Sequence, residues 1–176
     1  MNKLMYVIGT SLVVMGLSGC GSDENIVKNG VLKYNNSITV GEAFNNWDDC
    51  KDGKWKKFET KNKIKVIEYI CPKKDYVAYM NKVKSFFPSK DNSHFDVKSQ
   101  TEIFQFIINK NDTFKINNVQ IKTVWNDGKE YKASQNINKS LKRVYTNNKT
   151  FEVNKVSKNE AGVMSYAMTM MRNSVK

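Results

Sequence analysis

Histidine, proline and cysteine are scarce in this sequence. Its 176 residues include one histidine, two prolines and three cysteines. The single histidine, His94, cannot supply both a catalytic dyad and a metal site, and it stands in a polar stretch where we expect an exposed loop. The chain also lacks the Gly-X-Ser-X-Gly, His-Glu-X-X-His and phosphate-loop motifs. We therefore predict a protein that is not an enzyme, with no catalytic residues, no bound metal and no cofactor.

One acidic stretch resembles a calcium-binding loop in its spacing. Counting from Asp48, the positions of Asp52, Gly53 and Glu59 match part of an EF-hand loop. Position three, however, is Cys50, and sulfur is a poor ligand for a hard cation. Several lysines surround the loop, and the segment after it has the pattern of a strand rather than of a helix. We therefore predict no metal site here.

Long apolar runs are also missing. The longest mostly apolar stretch, Leu4 to Leu17, has about fourteen residues, whereas a helix that crosses a bilayer needs roughly 20. Lys3 precedes this stretch and small residues follow it, which is typical of a secretory signal peptide. An ordinary leader with a chance cysteine, or a weak membrane helix, is the alternative.

The residues Leu17-Ser18-Gly19-Cys20 resemble the lipobox of bacterial lipoprotein precursors, the class cleaved by signal peptidase II. The resemblance implies that residues 1–19 are a signal peptide and that Cys20 carries fatty-acyl chains such as palmitate, which hold a protein stably at a membrane when two are present. It also implies a lipid-anchored protein of the bacterial cell envelope. Gly21 stands where an aspartate would favour the inner membrane. The outer membrane is therefore favoured, with the protein facing the periplasm or the surface.

The body of the chain has the composition of a folded, basic domain. Residues 20–30 are polar, so we expect a flexible lipidated tether, and residues 31–176 have the length of a single domain. Hydrophobic residues make up 40% of the chain, and the formal net charge is +12. Such a charge attracts anionic lipid headgroups, acidic polysaccharide or nucleic acid. The abundance of lysine and asparagine also follows from an AT-rich genome, which is the alternative explanation.

Two cysteines, Cys50 and Cys71, are left when Cys20 is lipidated. Disulfides form in the oxidising compartments that exported proteins reach. We therefore predict a Cys50–Cys71 disulfide, with a buried reduced pair or an intermolecular bridge as the alternatives.

Hydrophobic periodicity predicts one α+β domain, in which an antiparallel sheet of hairpins and a meander is flanked by about three helices. Thr39 and Ser157 each open a capping box, with Glu42 and Glu160 three residues later. Helices are predicted over residues 40–49, 76–87 and 158–172, the second capped by Asp75. Strands are predicted over residues 31–34, 54–60, 63–71, 101–109, 113–116, 119–125, 130–133, 141–145 and 150–153, with turns at 117–118 and 126–128.

The start of this domain resembles a helix-plus-hairpin element of uncharacterised bacterial envelope lipoproteins. The residues that carry the resemblance are Val40-Gly41-Glu42-Ala43-Phe44, Trp47, Trp55, Phe58 and Val66. The resemblance implies no known activity.

The first predicted hairpin interleaves cations with an aromatic residue, as Lys54, Trp55, Lys56, Lys57, Lys63 and Lys65. Rings stack on bases or sugars while cations neutralise phosphates, and an exported protein seldom meets nucleic acid. We therefore predict a patch for an anionic glycan or lipid headgroup, and no nucleic acid partner. The alternative is a solvated strand with its aromatic residues turned inward.

These features predict a noncatalytic, membrane-anchored envelope lipoprotein that binds a partner protein or an anionic envelope polymer. The alternative, from a different class, is a periplasmic hydrolase or an enzyme-inhibitor-like module. An enzyme would require a cleft in which carboxylates converge.

Overall fold

The computed structural model describes residues 22–88 and 92–175. The predicted signal peptide and Cys20 lie outside the described residues. The strands are β1 Lys54–Glu59, β2 Lys65–Pro72, β3 Val97–Ile108, β4 Phe114–Trp125 and β5 Glu130–Ser134. The helices are α1 Ser22–Lys28, α2 Val40–Asn45, α3 Tyr76–Lys84, α4 Ile137–Tyr145 and α5 Lys158–Asn173, and short 3-10 turns lie at Ser93–Phe95 and Val153–Lys155.

The five strands form one antiparallel sheet in the order β1-β2-β3-β4-β5. Trp55 lies opposite Tyr69, Tyr69 opposite Phe104, and Phe104 opposite Val119. Because cross-strand partners point to the same side of a sheet, these aromatic and aliphatic side chains form one row across four strands. The predicted α+β class with an antiparallel sheet is confirmed.

The helices cover one face of this sheet and divide its core into two clusters. The first places Val27 of α1, Phe44 of α2 and Leu141 of α4 against the sheet beside Phe104. The second places α3 and α5 residues against Val97 and Trp125. Val119 and Trp125 are six residues apart on β4, and an even spacing puts both on the same face. One face therefore carries both clusters.

The opposite face of the sheet, which we call the open face, carries alternating residues of the same strands. None of these side chains belongs to either core cluster in the part of the chain that the structure describes. Antiparallel sheets commonly have one solvated face of this kind. The open face includes Lys54, Lys56, Phe58, Val66, Glu68, Ile70, Ile103, Gln105, Ile107, Lys115, Gln120, Lys122, Glu130 and Lys132.

Both predicted capping boxes supply the expected helix N-caps. The hydroxyl of Thr39 accepts from the backbone N–H of Glu42 at 3.1 Å, and the hydroxyl of Ser157 accepts from that of Glu160 at 3.2 Å. These side chains satisfy amides that a helix end otherwise leaves without partners. The capping residues thus fix where α2 and α5 begin.

Two strand predictions in the Asn- and Lys-rich segment are wrong. Residues 141–145 belong to α4, which Asn136 caps by accepting from the backbone N–H of Lys139 at 3.0 Å. The buried residues of this helix, Ser140, Leu141 and Val144, recur at helical rather than alternating spacing. Residues 150–153 form no strand, and Val153 begins a 3-10 turn.

The turn predicted at 117–118 is also wrong, because β4 continues through it. Gln105 lies opposite Asn118 and Phe106 opposite Ile116. Asn117 is thus an extra residue, as in a β-bulge. The bulge restores the alternation that the sequence interrupts at this point.

The segment predicted to be a flexible tether contains α1, in which Val27 is buried in the core. Residues 31–34 form no strand, only a bridge between Leu32 and Asn35. Several other predicted boundaries are displaced: α2 ends at Asn45, α3 ends at Lys84 and β3 begins at Val97, while Asp75 makes no capping bond through its side chain.

Candidate functional site

Trp55 of the predicted anionic-ligand patch is turned toward the core. The centroid of its ring lies 4.9 Å from that of Tyr69 and 5.8 Å from that of Phe44. Its Nε1 donates to Oδ1 of Asn45 at 3.1 Å, and Nζ of Lys28 lies 5.4 Å from the ring centroid. The indole therefore packs α2 against the sheet, as the alternative interpretation of the patch expected.

Three of the predicted patch lysines are engaged in ion pairs. Lys57 and Lys65 both reach the buried carboxylate of Asp23 on α1, at 2.5 Å and 3.1 Å. The hydrogen bond from Lys57, followed by that from Lys65, holds the pKa of Asp23 below its ordinary value. Lys63 lies 3.3 Å from Glu59. Lys57 and Lys65 therefore fasten α1 to the hairpin.

The two other patch lysines, Lys54 and Lys56, lie on the open face of β1. Neither forms an ion pair with a described residue, and the same holds for Lys115 on β4. Lys122 differs, because its Nζ lies 2.6 Å from Glu130. The structure thus splits the predicted patch and adds Lys115, which the sequence analysis did not single out.

An apolar floor separates the lysines of β1 from those of β4. Val66 in this floor is buried, with 5% exposure, and the other members, Phe58, Ile70, Ile103 and Ile107, are partly buried. Neighbouring strands lie about 4.8 Å apart, so three steps across the sheet place the two lysine rows roughly 14 Å apart. Glu68 and Gln105 lie opposite each other in the middle of this floor and are hydrogen-bonded at 2.7 Å. The open face therefore combines separated cations with apolar rows on either side of one polar pair.

A shallow depression of about 300 Å³ lies at one end of the open face. Ile70 and Pro72 supply apolar lining, while Lys51, Asp52 and Lys54 supply charge. The backbone N–H of Lys51 donates to the carbonyl of Pro72 at 2.8 Å, which joins the two segments that border the depression.

The predicted disulfide is present beside this depression. Cys50 and Cys71 are bonded, with an S–S distance of 2.02 Å and a Cα–Cα distance of 5.0 Å. Cys50 also forms an isolated antiparallel bridge with Lys73. The disulfide and this bridge therefore hold the segment that precedes β1 next to the end of β2.

A buried charge cluster, centred on Lys73, lies next to the disulfide and was missed by the sequence analysis. Nζ of Lys73 lies 2.8 Å from Oδ2 of Asp49 and 2.7 Å from Oε2 of Glu102, and all three side chains are 1% exposed. The Trp47 ring centroid lies 3.8 Å from the same Nζ. The two carboxylates converge in the core rather than in an open cleft.

The carboxylate oxygens of this cluster also accept hydrogen bonds from side chains around it. Oε1 of Glu102 accepts from the Ser140 hydroxyl at 2.6 Å and from the Arg143 guanidinium at 2.8 Å. Oδ2 of Asp49 accepts from the hydroxyl of Thr150. Burying charges costs several kcal/mol per ion unless partners of this kind compensate. The sequence gives one indication that these charges meet. Asp49 precedes Cys50 directly, and Lys73 follows Cys71 by two residues, so the predicted disulfide brings them near each other.

The residues that the calcium interpretation used do not converge. Asp48 accepts from the side chain of Asn147 at 3.0 Å, and Asp52 has a left-handed backbone with φ of 55°. The segment after them is β1, as expected. No group of three or more His, Cys, Asp or Glu residues is arranged to hold a metal ion among residues 22–88 and 92–175.

His94 lies in the 3-10 turn Ser93–Phe95 and is partly buried rather than exposed. Its carbonyl accepts from Nε1 of Trp125 at 2.9 Å. The backbone of this residue therefore helps to hold the second core cluster.

Comparisons with protein-family models, with curated proteins and with solved structures found no match to this chain. Within the described ranges, none of the helices has the length and apolar character needed to span a membrane.

Proposed function

We propose that this chain is a noncatalytic, lipid-anchored protein of the bacterial envelope that binds an anionic polymer on its open face. The observation that carries the proposal is the placement of Lys54, Lys56 and Lys115. These cations lie on both sides of an apolar floor and form no ion pair with any residue that the structure describes.

The spacing of these groups fits an extended ligand better than a small one. The lysine rows are roughly 14 Å apart across the strands, and the depression at one end is shallow. A polymer with repeated negative charges can contact both rows at once, while its sugar rings lie on the apolar floor. Multiple contacts along one chain also raise the apparent affinity.

Lipid attachment at Cys20 supports a polymer rather than the membrane as the ligand of the open face. Cys20 precedes Ser22, the first residue of α1, by two positions in the sequence. Asp23 ties α1 to Lys57 and Lys65, and α1 belongs to the layer of helices that covers the other face of the sheet. The described structure therefore begins on the side of the helices, and we propose that attachment at Cys20 leaves the open face accessible.

Replacing Lys54, Lys56 and Lys115 together with glutamine tests this function. Each lysine near an anionic surface contributes about 1 kcal/mol, so the triple variant should bind an anionic polymer on the order of a hundredfold more weakly. The measurement is the affinity of the purified full chain, in nonionic detergent, for dextran sulfate, with neutral dextran as the uncharged reference.

The matched control carries Lys139→Gln, Lys142→Gln and Lys158→Gln, which remove the same charge from the exposed side of α4 and α5. We expect this control to bind within about threefold of the unchanged protein, because its lysines lie away from the open face. Equal weakening in both variants would mean that total charge, not the open face, determines binding. Loss of binding to phosphatidylglycerol vesicles alone would favour a lipid ligand.

A further inference from the structure

The buried charge cluster holds an amine in contact with a carboxylate. Nζ of Lys73 is 2.8 Å from Oδ2 of Asp49, and the carboxyl carbon is one bond beyond that oxygen. Holding two reactants in contact is equivalent to an effective concentration of about 10⁵–10⁸ M. We propose that Lys73 and Asp49 condense to an intramolecular isopeptide bond, with Glu102 as the group that transfers the proton.

The surroundings favour condensation over hydrolysis. The side chains of Lys73, Asp49 and Glu102 are each 1% exposed, and the Trp47 ring covers the amine at 3.8 Å. Separated charges are costly in such a site, and the amide replaces one charged pair with a neutral group. The water molecule that condensation releases leaves the cluster. Bulk solvent does not reach the cluster, so little water is present to hydrolyse the amide.

The partners of the two carboxylates assign their roles. Arg143 and Ser140 bind Oε1 of Glu102, whereas Oε2 faces Nζ of Lys73 at 2.7 Å, which is within reach for a proton acceptor. Among the residues that the structure describes, Asp49 has no arginine partner, and its Oδ2 accepts from the Thr150 hydroxyl. This hydroxyl can stabilise the oxygen that becomes negative when the amine attacks, so Asp49 is the electrophile.

The reaction balances without an oxidant or a further reactant. The Lys73 ammonium gives one proton to the Asp49 carboxylate, which leaves a neutral amine and a carboxylic acid. The amine nitrogen attacks the carboxyl carbon, and Glu102 takes a proton from that nitrogen. Glu102 returns this proton to the departing hydroxyl, the C–O bond breaks, and one water leaves as the C–N amide remains.

Peptide mapping of the purified full chain tests the bond directly. Reduction and alkylation open the disulfide, and trypsin then releases residues 34–51 and 66–73 as separate linear peptides when Lys73 is free. When Lys73 is joined to Asp49, cleavage after Lys73 is blocked, and residues 34–51 stay attached to residues 66–74. We expect one branched peptide containing both segments, lighter by one water than their sum. Recovery of only linear peptides from the unchanged protein, with cleavage after Lys73, would overturn the proposal.

Two variants separate the roles. Lys73→Arg keeps a cation at this position but removes the nucleophile, so its map should contain linear peptides alone. Glu102→Gln keeps the shape but removes the proton acceptor, and we expect the branched peptide to fall at least tenfold. An undiminished yield in Glu102→Gln would refute the assigned role of Glu102. The map of the unchanged protein decides whether the bond exists even where a variant fails to fold.

Discussion

Truncation of Phe44 to alanine should remove the largest single contribution that α2 makes to the core. Phe44 is 0% exposed. Its ring centroid lies 4.8 Å from that of Phe104, 5.0 Å from that of Tyr69 and 5.7 Å from that of Phe106. The change therefore leaves a cavity where α2 meets β2 and β3 of the sheet.

The size of the effect follows from these contacts. Phe→Ala changes in protein cores cost about 3–5 kcal/mol, and α2 has only six residues, which is too short to be helical without packing. We expect the upper part of that range, about 4–5 kcal/mol, because the ring also makes edge-to-face contacts. For a chain of this size, the melting temperature should fall by about 10–20 °C.

Urea unfolding followed by tryptophan fluorescence measures this effect, with Phe58→Ala as the matched control. Phe58 is the same residue type on the open face, partly buried and outside both core clusters. Its truncation should cost about 1 kcal/mol, because less apolar surface is lost from contact. Equal losses in the two variants would refute the assignment of the helices to the Phe44 face.

Further predictions concern the Cys50–Cys71 disulfide, the ion pairs of Asp23 and the lipidation of Cys20. The disulfide spans a sequence separation of 21, so replacing Cys50 and Cys71 with alanine should cost roughly 3 kcal/mol, measured as a lower unfolding midpoint without reductant. The lowered pKa of Asp23 means that its ion pairs stabilise the fold above the ordinary value of 3.8 and are lost as the pH falls through the folded value. Hydrogen exchange of residues 22–28, corrected for intrinsic rates, should therefore accelerate in acid, and Asp23→Asn should lack this dependence. Cys20→Ser should abolish palmitate labelling and shift the protein from the membrane to the soluble fraction; unchanged labelling would contradict lipidation at Cys20.

The elements that could be predicted from the sequence are those with local signals. Val119, Ile121, Thr123 and Trp125 alternate with other residues, and the structure places them on one strand, β4. Thr39 and Ser157 cap the helices that follow them. Each of these patterns depends on residues within a few positions of one another, so contacts with distant residues do not change the structure that it predicts.

Helix α4 could not be recognised from the sequence because its local signals are weak. The contacts that favour the helix are made with a residue that is distant in the sequence. Residues 141–145 contain only three apolar residues, Leu141, Val144 and Tyr145, and a pattern this short does not distinguish strand from helix. Asn136, which caps the helix, stands in a segment with many asparagines. Ser140 and Arg143 both bind Glu102 on β3, so contacts with the sheet favour the helical conformation.

The charge cluster was missed because each member resembles a surface residue in sequence. Asp49 and Lys73 are 24 positions apart, and Glu102 is 38 positions from Ser140. Lysine and glutamate are rarely fully buried unless they are paired. Only the folded sheet, which places β3 beside β2 and the disulfide, brings the pairing partners together.

The division of the predicted lysine patch follows from the period of a strand. Successive side chains point to opposite faces, so Lys56 and Lys57, adjacent in sequence, cannot serve one flat ligand. Lys57 accordingly lies with Asp23 on the side of the helices, and Lys56 lies on the open face. Consecutive lysines in a strand therefore divide their charge between two surfaces: Lys57 secures α1 through Asp23, and Lys56 lies on the open face, where we propose that a polymer binds.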